Sequence, residues 1–409
     1  MERLPLFDQV FSKKIADDRL HAIAEAVAGR IEQEMDPGFL TGLAGEAVFL
    51  YQYGRFFASD RHENLGFLAL GRSLAMIEKG YNWPSYATGL AGIRYALHYL
   101  ASQRFIGEPE GAVLDSIDPY LRKFADARFR EGDYDLLHGA LGVYMTLPYH
   151  TATRSLTHNL SSLAVSPAPG QIAWPSHNPK TGTPEINLGV AHGLPSILVI
   201  LSQHLIRKRS EPFDERSRSV RERNELFRTI EQGVNFLLSC EMNKSSNGSL
   251  FPHRMVEGKP DQPGRLAWCY GDAGIGAALW QVGANCDHEE WQTEAVRILR
   301  RAAVRVNTKA NRIYDACLCH GTAGLALLFY KMAWLTGHEE LLDASEHWML
   351  ATLDHGLNEN AAGGYLYLTT GNRYISNYSL LEGISGTGLA ILSLLEPEGF
   401  LGWEKGLLL

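Results

Sequence analysis

Cysteine is scarce in this chain, and what little there is does not form a framework. The 409 residues hold five cysteines, Cys240, Cys269, Cys286, Cys317 and Cys319. An odd, sparse set in a long chain excludes a disulfide scaffold and points to a reducing compartment, the cytoplasm. Positive charge is also short. The formal net charge is −8, so a nucleic-acid partner is not indicated. No uninterrupted apolar run reaches the ~18 residues of a membrane span. The first residues, Met1 to Asp8, have no apolar core of the kind a signal peptide needs. What remains is 45% hydrophobic and 21% charged, the composition of a globular chain with a large core.

Glycine is plentiful and it is periodic. Seven short frames recur: Thr41-Gly42-Leu43-Ala44-Gly45, Thr88-Gly89-Leu90-Ala91-Gly92, His138-Gly139-Ala140-Leu141-Gly142, His192-Gly193-Leu194-Pro195-Ser196, Tyr270-Gly271-Asp272-Ala273-Gly274, His320-Gly321-Thr322-Ala323-Gly324 and Glu382-Gly383-Ile384-Ser385-Gly386. The fourth has lost its second glycine. Successive first glycines are 47, 50, 54, 78, 50 and 62 residues apart. A unit of about 50 residues accommodates two helices and two loops. After each frame the chain turns apolar on all sides, as in Leu325-Ala326-Leu327-Leu328-Phe329. Between frames lie one-sided stripes such as Leu226, Ile230, Val234 and Leu237. Buried and amphipathic helices in alternation predict an all-α fold. The expected architecture is a double-layer α/α toroid of seven helical-hairpin repeats, one domain over residues 1–409.

Two intervals depart from the period. Residues 146–186 carry Pro148, Pro167, Pro169, Pro175, Pro179 and Pro184. Prolines so close together predict a loop or small β-containing excursion without a long helix. Residues 207–225 are a mixed-charge run that accounts for the long step. It reads as a solvated linker or outer helix, with a docking role as the alternative.

Aligned on the first glycine, the preceding residue is Thr41, Thr88, His138, His192, Tyr270, His320 or Glu382. The residue before that is Leu40, Ala87, Leu137, Ala191, Cys269, Cys319 or Leu381. Equivalent positions of a closed toroid face one lumen, so the repeat implies a polar ring. Cysteine occurs only in copies five and six. Cys269, Cys319 and His320 are therefore expected to converge as a three-ligand soft-metal set with a vacant fourth position. Cys317 is a competing ligand, and buried cysteines acting as small hydrophobes are the alternative to any metal. Two thiolate ligands favour activation of a substrate thiol, with a zinc-hydroxide hydrolase left open. His192 suits proton transfer, and Asp135 could orient it. Arg265 could bind an oxyanion and Tyr270 could donate a proton or hydrogen bond. A helix cap, a surface ion pair and a packing aromatic are the plainer readings of these four. His138 and Glu382 have ring position as their sole credential.

The residues Trp268-Cys269-Tyr270-Gly271, Cys319-His320-Gly321 and Ala191-His192-Gly193, within the seven glycine frames, resemble the lanthionine synthetase C-like proteins, the cyclases of lanthipeptide biosynthesis. The resemblance runs from about residue 38 to 395. It implies a double-layer α-toroid and a zinc ion held by Cys269, Cys319 and His320. It further implies that a cysteine thiolate of a precursor peptide attacks the β-carbon of dehydroalanine or dehydrobutyrine, giving a lanthionine or methyllanthionine ring. By the same resemblance His192 and Asp135 serve acid/base work, and Arg265 and Tyr270 stabilise the enolate or position the peptide. Some bacterial relatives carry an inserted SH2-like domain near 146–186. Here that interval is about 40 residues, short of an independent domain. A stand-alone cyclase is expected to take a dehydrated precursor peptide from a separate dehydratase and to work beside an exporter, cytoplasmic or held at the membrane by such partners. Addition of a free thiol such as glutathione, a non-catalytic zinc scaffold, and a carbohydrate enzyme using Asp135 and Glu382 are the competing readings.

Overall fold

The computed structural model describes residues 10–108, 111–177, 182–209, 218–396 and 400–409. In chain order the helices are α1 (Val10–Ala28), α2 (Leu43–Phe56), α3 (Asp60–Glu78), α4 (Leu90–Ser102), α5 (Gly111–Arg130), α6 (Ala140–Thr146), α7 (Tyr149–Leu163), α8 (Leu194–Arg209), α9 (Arg218–Ser239), α10 (Asp272–Cys286), α11 (Glu289–Ala303), α12 (Thr308–Asn311), α13 (Thr322–Thr336), α14 (Glu339–His355) and α15 (Ile384–Leu395). Each glycine frame starts a helix: α2, α4, α6, α8, α10, α13 and α15 all begin one residue after its first glycine. Two kinds of helix alternate. Every residue of α15 is buried, and so is every residue of α2 from Leu43 to Gly54. By contrast, α11 buries one stripe, made by Trp291, Ala295, Ile298, Leu299, Ala302 and Ala303.

The helices that follow the glycines lack side-chain caps at their N-termini; α2, α4, α6, α13 and α15 are examples. Their orphan N–H groups are met by the preceding loop instead. The N–H one past the first glycine donates to the carbonyl six before that glycine: Leu43 to Asp36 (2.9 Å), Leu90 to Trp83 (2.8 Å), Ala140 to Asp133 (3.2 Å), Thr322 to Asp315 (3.0 Å) and Ile384 to Asn377 (2.9 Å). The loop must therefore press against the helix end. A Cβ on Gly42 would lie 2.0 Å from the Asp36 carbonyl oxygen, and one on Gly45 would lie 2.0 Å from that of Phe39. Gly271 adds a conformational demand, with φ +90. In the degenerate fourth copy Ser196 is accommodated fully buried, its hydroxyl donating to the Gly193 carbonyl at 2.8 Å.

The chain forms two compact units, Met1–Leu121 with Arg312–Leu407, and Arg122–Asn311 with Leu408–Leu409. In the first, α15 packs between α13 and α2, and α2 continues onto α4; α14, α1 and α3 cover α13, α15 and α2. The first helix of the chain is thus the outer partner of the last inner one. In the second, α8 packs on α9 and α10, and α10 on α11. A belt of hydrogen bonds two residues before the first glycine links several of the frames. Cys319 N–H donates to Leu381 (3.0 Å), Leu381 N–H to Leu40 (2.9 Å) and Leu40 N–H to Ala87 (2.9 Å) in the first unit. Ala191 N–H donates to Cys269 (3.4 Å) in the second. In every case one copy donates to the next.

The stretch 146–186 corrects one expectation. It holds a 15-residue helix, α7. Pro148 sits at its N-cap with φ −57, a value already helical, and Pro167 lies beyond its end. The prolines flank the helix rather than interrupt it. The two strands of the stretch join an antiparallel sheet completed from residues 254–260, in the order β1 (Ser176–His177), β2 (Pro184–Asn187), β3 (Arg254–Val256), β4 (Lys259–Pro260). A second antiparallel pair joins β5 (Tyr367–Leu368) and β6 (Tyr374–Ile375). In the mixed-charge run α8 ends at Arg209 and α9 starts at Arg218; the remainder lies outside the described residues. Among the described residues no helix is long and apolar enough to cross a membrane.

Candidate active site and metal ligands

The frames sort side chains by position. Two before the first glycine, Leu40, Ala87, Leu137, Ala191, Cys269, Cys319 and Leu381 are all buried. One before it, Thr41, Thr88, His138, His192, Tyr270, His320 and Glu382 are all partly or fully exposed. The belt turns the first set inward and presents the second.

In the second unit three candidates share one cavity of about 630 Å³, lined by Asp135, His192 and Tyr270 together with Asn187, His138 and Arg254. His192 Nδ1 and the Asp135 carboxylate are 2.5 Å apart. The other Asp135 oxygen accepts the N–H groups of Leu137 and His138, each at 2.8 Å. Burial opposes charge on both partners, but their mutual attraction outweighs it. The His192 pKa is raised and the Asp135 pKa lowered. The carboxylate is the fixed group, and the imidazole is oriented by it. Tyr270 lies 5.8 Å from His192, centroid to centroid, and stacks on His253 at 5.0 Å. Burial pushes its phenol up to about 12, so the hydroxyl keeps its proton near neutral pH. Arg265 does not line this cavity. Its backbone N–H donates to His253 Nε2 at 3.0 Å, which ties it to the Tyr270 stack.

Cys269 is 4% exposed, and its carbonyl is a belt acceptor for Ala191. The turn behind it is anchored by a buried ion pair. Arg305 donates to Asp272 at 2.6 Å. The same carboxylate accepts the Ser249 hydroxyl (3.0 Å) and the N–H groups of Leu250 (3.0 Å) and Phe251 (3.1 Å). Every acceptor position of a group without solvent is thereby used, the condition for a buried pair to hold.

In the first unit the Cys319-His320 turn is built on its neighbours. Cys319 is 7% exposed and bonded through its N–H to the belt; His320 N–H donates to Cys317 Sγ at 3.4 Å. Asp315, Cys317 and His320 put ligand atoms within 4.8 Å of one another, a group that could hold a metal on distance alone. Its chemistry argues otherwise. The Asp315 oxygens already accept the N–H groups of Cys317 and Leu368, each at 3.0 Å. Burial, then the Asp315 charge, holds the Cys317 thiol well above its usual range, hence protonated. Cys317 thus reads as the support of the turn and Cys319-His320 as its ligand-bearing part. Glu382 is exposed, its N–H accepted by the Ser379 hydroxyl at 3.3 Å.

A family model described as lanthionine synthetase C-like protein matches residues 33–408. The chain belongs to the lanthionine synthetase C-like family. Among solved structures it is similar to nisin cyclase, with a TM-score of 0.71 and 20% identity over 95% of this chain and 96% of that one. The two share the helical toroid fold. No protein among the curated ones matches the chain in sequence.

Within this lanthionine synthetase C-like chain, two site residues lie outside the sequence reading. His253 stacks on Tyr270 from the loop that follows α9, and Asn187 reaches the Tyr270 hydroxyl from β2. The first leaves no mark in the frames. The second does. Six residues before the first glycine stand Asp36, Asp133, Asn187, Asp315 and Asn377, in five of the seven copies. Aligning further upstream of each glycine marks this position, with Asn187 as its copy-four member.

Proposed function

We propose that this chain is a lanthipeptide cyclase. It adds cysteine thiols of a dehydrated precursor peptide to dehydroalanine or dehydrobutyrine, forming lanthionine and methyllanthionine thioethers. The observation that carries the reading is the belt. In copies six, seven, one and four the N–H two before the first glycine donates to the carbonyl at the same position of the next copy. Cys269 and Cys319 hold that matched position in copies five and six. Together with His320 they are the residues assigned to a metal ion. Two sulfurs and an imidazole suit zinc, and three protein ligands leave one position for substrate. When bound, such an ion makes a coordinated thiol available as thiolate near neutral pH.

The chain's own residues supply the rest. The peptide thiolate adds to the β-carbon, breaking the alkene π bond and leaving an enolate across the α-carbon and its carbonyl. Tyr270, still protonated, donates a hydrogen bond to the enolate oxygen. His192, whose pKa the Asp135 carboxylate raises, delivers a proton to the α-carbon, and the proton given up by the thiol restores the balance without change of mass. Arg265 is assigned to holding the peptide beside Tyr270. The dehydrated peptide implies a separate dehydratase upstream, with an exporter as a further partner. The test is to incubate the purified, zinc-loaded protein with dehydrated precursor peptide. Free thiols disappear at constant peptide mass. Thiol consumption only when glutathione is supplied, with a corresponding gain of mass, would contradict ring formation.

A further inference from the structure

In five copies an Asx residue closes the loop ahead of the helix. Its side-chain oxygen accepts the N–H two residues on: Asp36 from Gly38 (2.7 Å), Asp133 from Asp135 (3.2 Å), Asn187 from Gly189 (2.9 Å), Asp315 from Cys317 (3.0 Å) and Asn377 from Ser379 (3.0 Å). Aspartate does this work in three of them, so the turn itself does not require an amide. In copy four the side chain has a second task. Asn187, 7% exposed, places Nδ2 at 3.0 Å from the Tyr270 hydroxyl.

The first hydrogen bond settles the sense of the second. The Gly189 N–H needs an acceptor, so the amide oxygen faces Gly189 and the nitrogen faces Tyr270. An amide nitrogen donates and does not accept. The Tyr270 oxygen therefore accepts from Asn187, and its single proton must point elsewhere. No other described residue hydrogen-bonds this hydroxyl. The ring has little room to move, since a Cβ on Gly189 would fall 2.6 Å from Tyr270 Cδ1. An oxygen that lines the cavity, with its lone pair engaged from behind, offers its proton to the cavity.

We infer that Asn187 is a positioning residue that fixes the hydrogen-bond sense of Tyr270, keeping its O–H free to donate to substrate. The inference rests on the cyclase reading for the identity of that substrate, an enolate oxygen, and on geometry alone for the sense of the hydrogen bond. Aspartate at this position would keep the Gly189 turn, as it does in the sibling copies. Its other oxygen would then accept the Tyr270 proton and take it away from the cavity.

The experiment uses the full chain, zinc-loaded, with four variants: Asn187→Asp, Tyr270→Phe, the double variant, and Asn377→Asp as the sibling control. Asn187→Asp should lower kcat on the order of 10–100-fold, as Tyr270→Phe does, with KM little changed. The double variant should be no slower than Tyr270→Phe, and Asn377→Asp should match wild type. The tyrosine Fermi doublet in Raman difference spectra gives a readout that does not depend on turnover. Wild type minus Tyr270→Phe should show a phenol that accepts a hydrogen bond, and this needs no Asn187 variant to fold. Asn187→Asp minus the double variant should show a strong donor. The inference is overturned if Asn187→Asp turns over at the wild-type rate. It is equally overturned if that substitution slows the Tyr270→Phe background further, or if the wild-type doublet is that of a strong donor. If wild type forms no thioether, the cyclase reading fails, and the Raman arm still decides the role of Asn187.

Discussion

His192 and Asp135 are paired through a hydrogen bond between the imidazole and the carboxylate. Against the opposing effect of burial, the pair raises the His192 pKa and lowers that of Asp135. Asp135→Asn keeps the shape and removes the charge. On the mechanism proposed, it should lower kcat by roughly 10²-fold or more, and His192→Asn by at least as much, with KM little affected. Single-turnover cyclisation of a peptide with one ring checks both. Cys317 makes a contrasting prediction. Its thiol is protonated and supports the turn, so Cys317→Ala should retain metal and activity while costing about 1 kcal/mol of stability, read by denaturant titration with zinc analysis. At this scale much was legible in the sequence. Aligning on the first glycine brought His192, Tyr270, Cys269, Cys319 and His320 into equivalent places, and the spacing of Asp135 from Gly139 put it in the loop before α6. Asn187 and His253 were not seen. Their contacts with Tyr270 cross 83 and 17 residues of chain and depend on short strands and a loop rather than on a helical period.

The elements are held by loops pressed onto helix ends, and two predictions belong here. Asp272 and Arg305 pin the start of α10, so Asp272→Ala should destabilise by roughly 3–5 kcal/mol, because it strands a buried guanidinium. A denaturant midpoint at unchanged m-value checks this. Glu46, one turn into α2, is fully buried, and neither carboxylate oxygen has a hydrogen-bond partner among the described residues. Burial, then the charge of Glu34, pushes its pKa up to about 8 from the 4.5 it has in an unfolded chain. An acid whose pKa is raised by folding contributes its stability in full below 4.5, and that contribution is lost as pH rises to about 8. Melting temperature should therefore fall between pH 5 and 8, by an amount worth on the order of a few kcal/mol in this linkage, and Glu46→Gln should flatten that slope. Equal slopes in both proteins would refute it. The starts of the seven inner helices were legible because each requires glycine where a Cβ would strike the loop. Helix α7 was not, because prolines that flank a helix look in sequence like prolines that break one. The four-stranded sheet escaped for another reason. Its strands are two to four residues long, and β2 pairs with β3 from the far side of two helices.

At the scale of the whole molecule, the repeat and the belt tie fold to function. The fold class was legible from seven frames, because buried and one-sided helices alternate at a period of about 50 residues. The pairing of α1 with α15, the outer helix of the last copy, was not spelled out by any motif, because it joins the two ends of the described chain. The repeat gives two cysteines 50 residues apart the same position in consecutive copies, and the function proposed above assigns both to one ion. The most direct test of that claim combines zinc content with ring formation in the full-length protein. The account predicts about one zinc per chain in wild type, as a single three-ligand site requires. It also predicts loss of both zinc and thioether formation in Cys269→Ala, and again in Cys319→Ala, with each variant still folded. Either cysteine variant retaining full zinc and forming rings from the dehydrated peptide would contradict it.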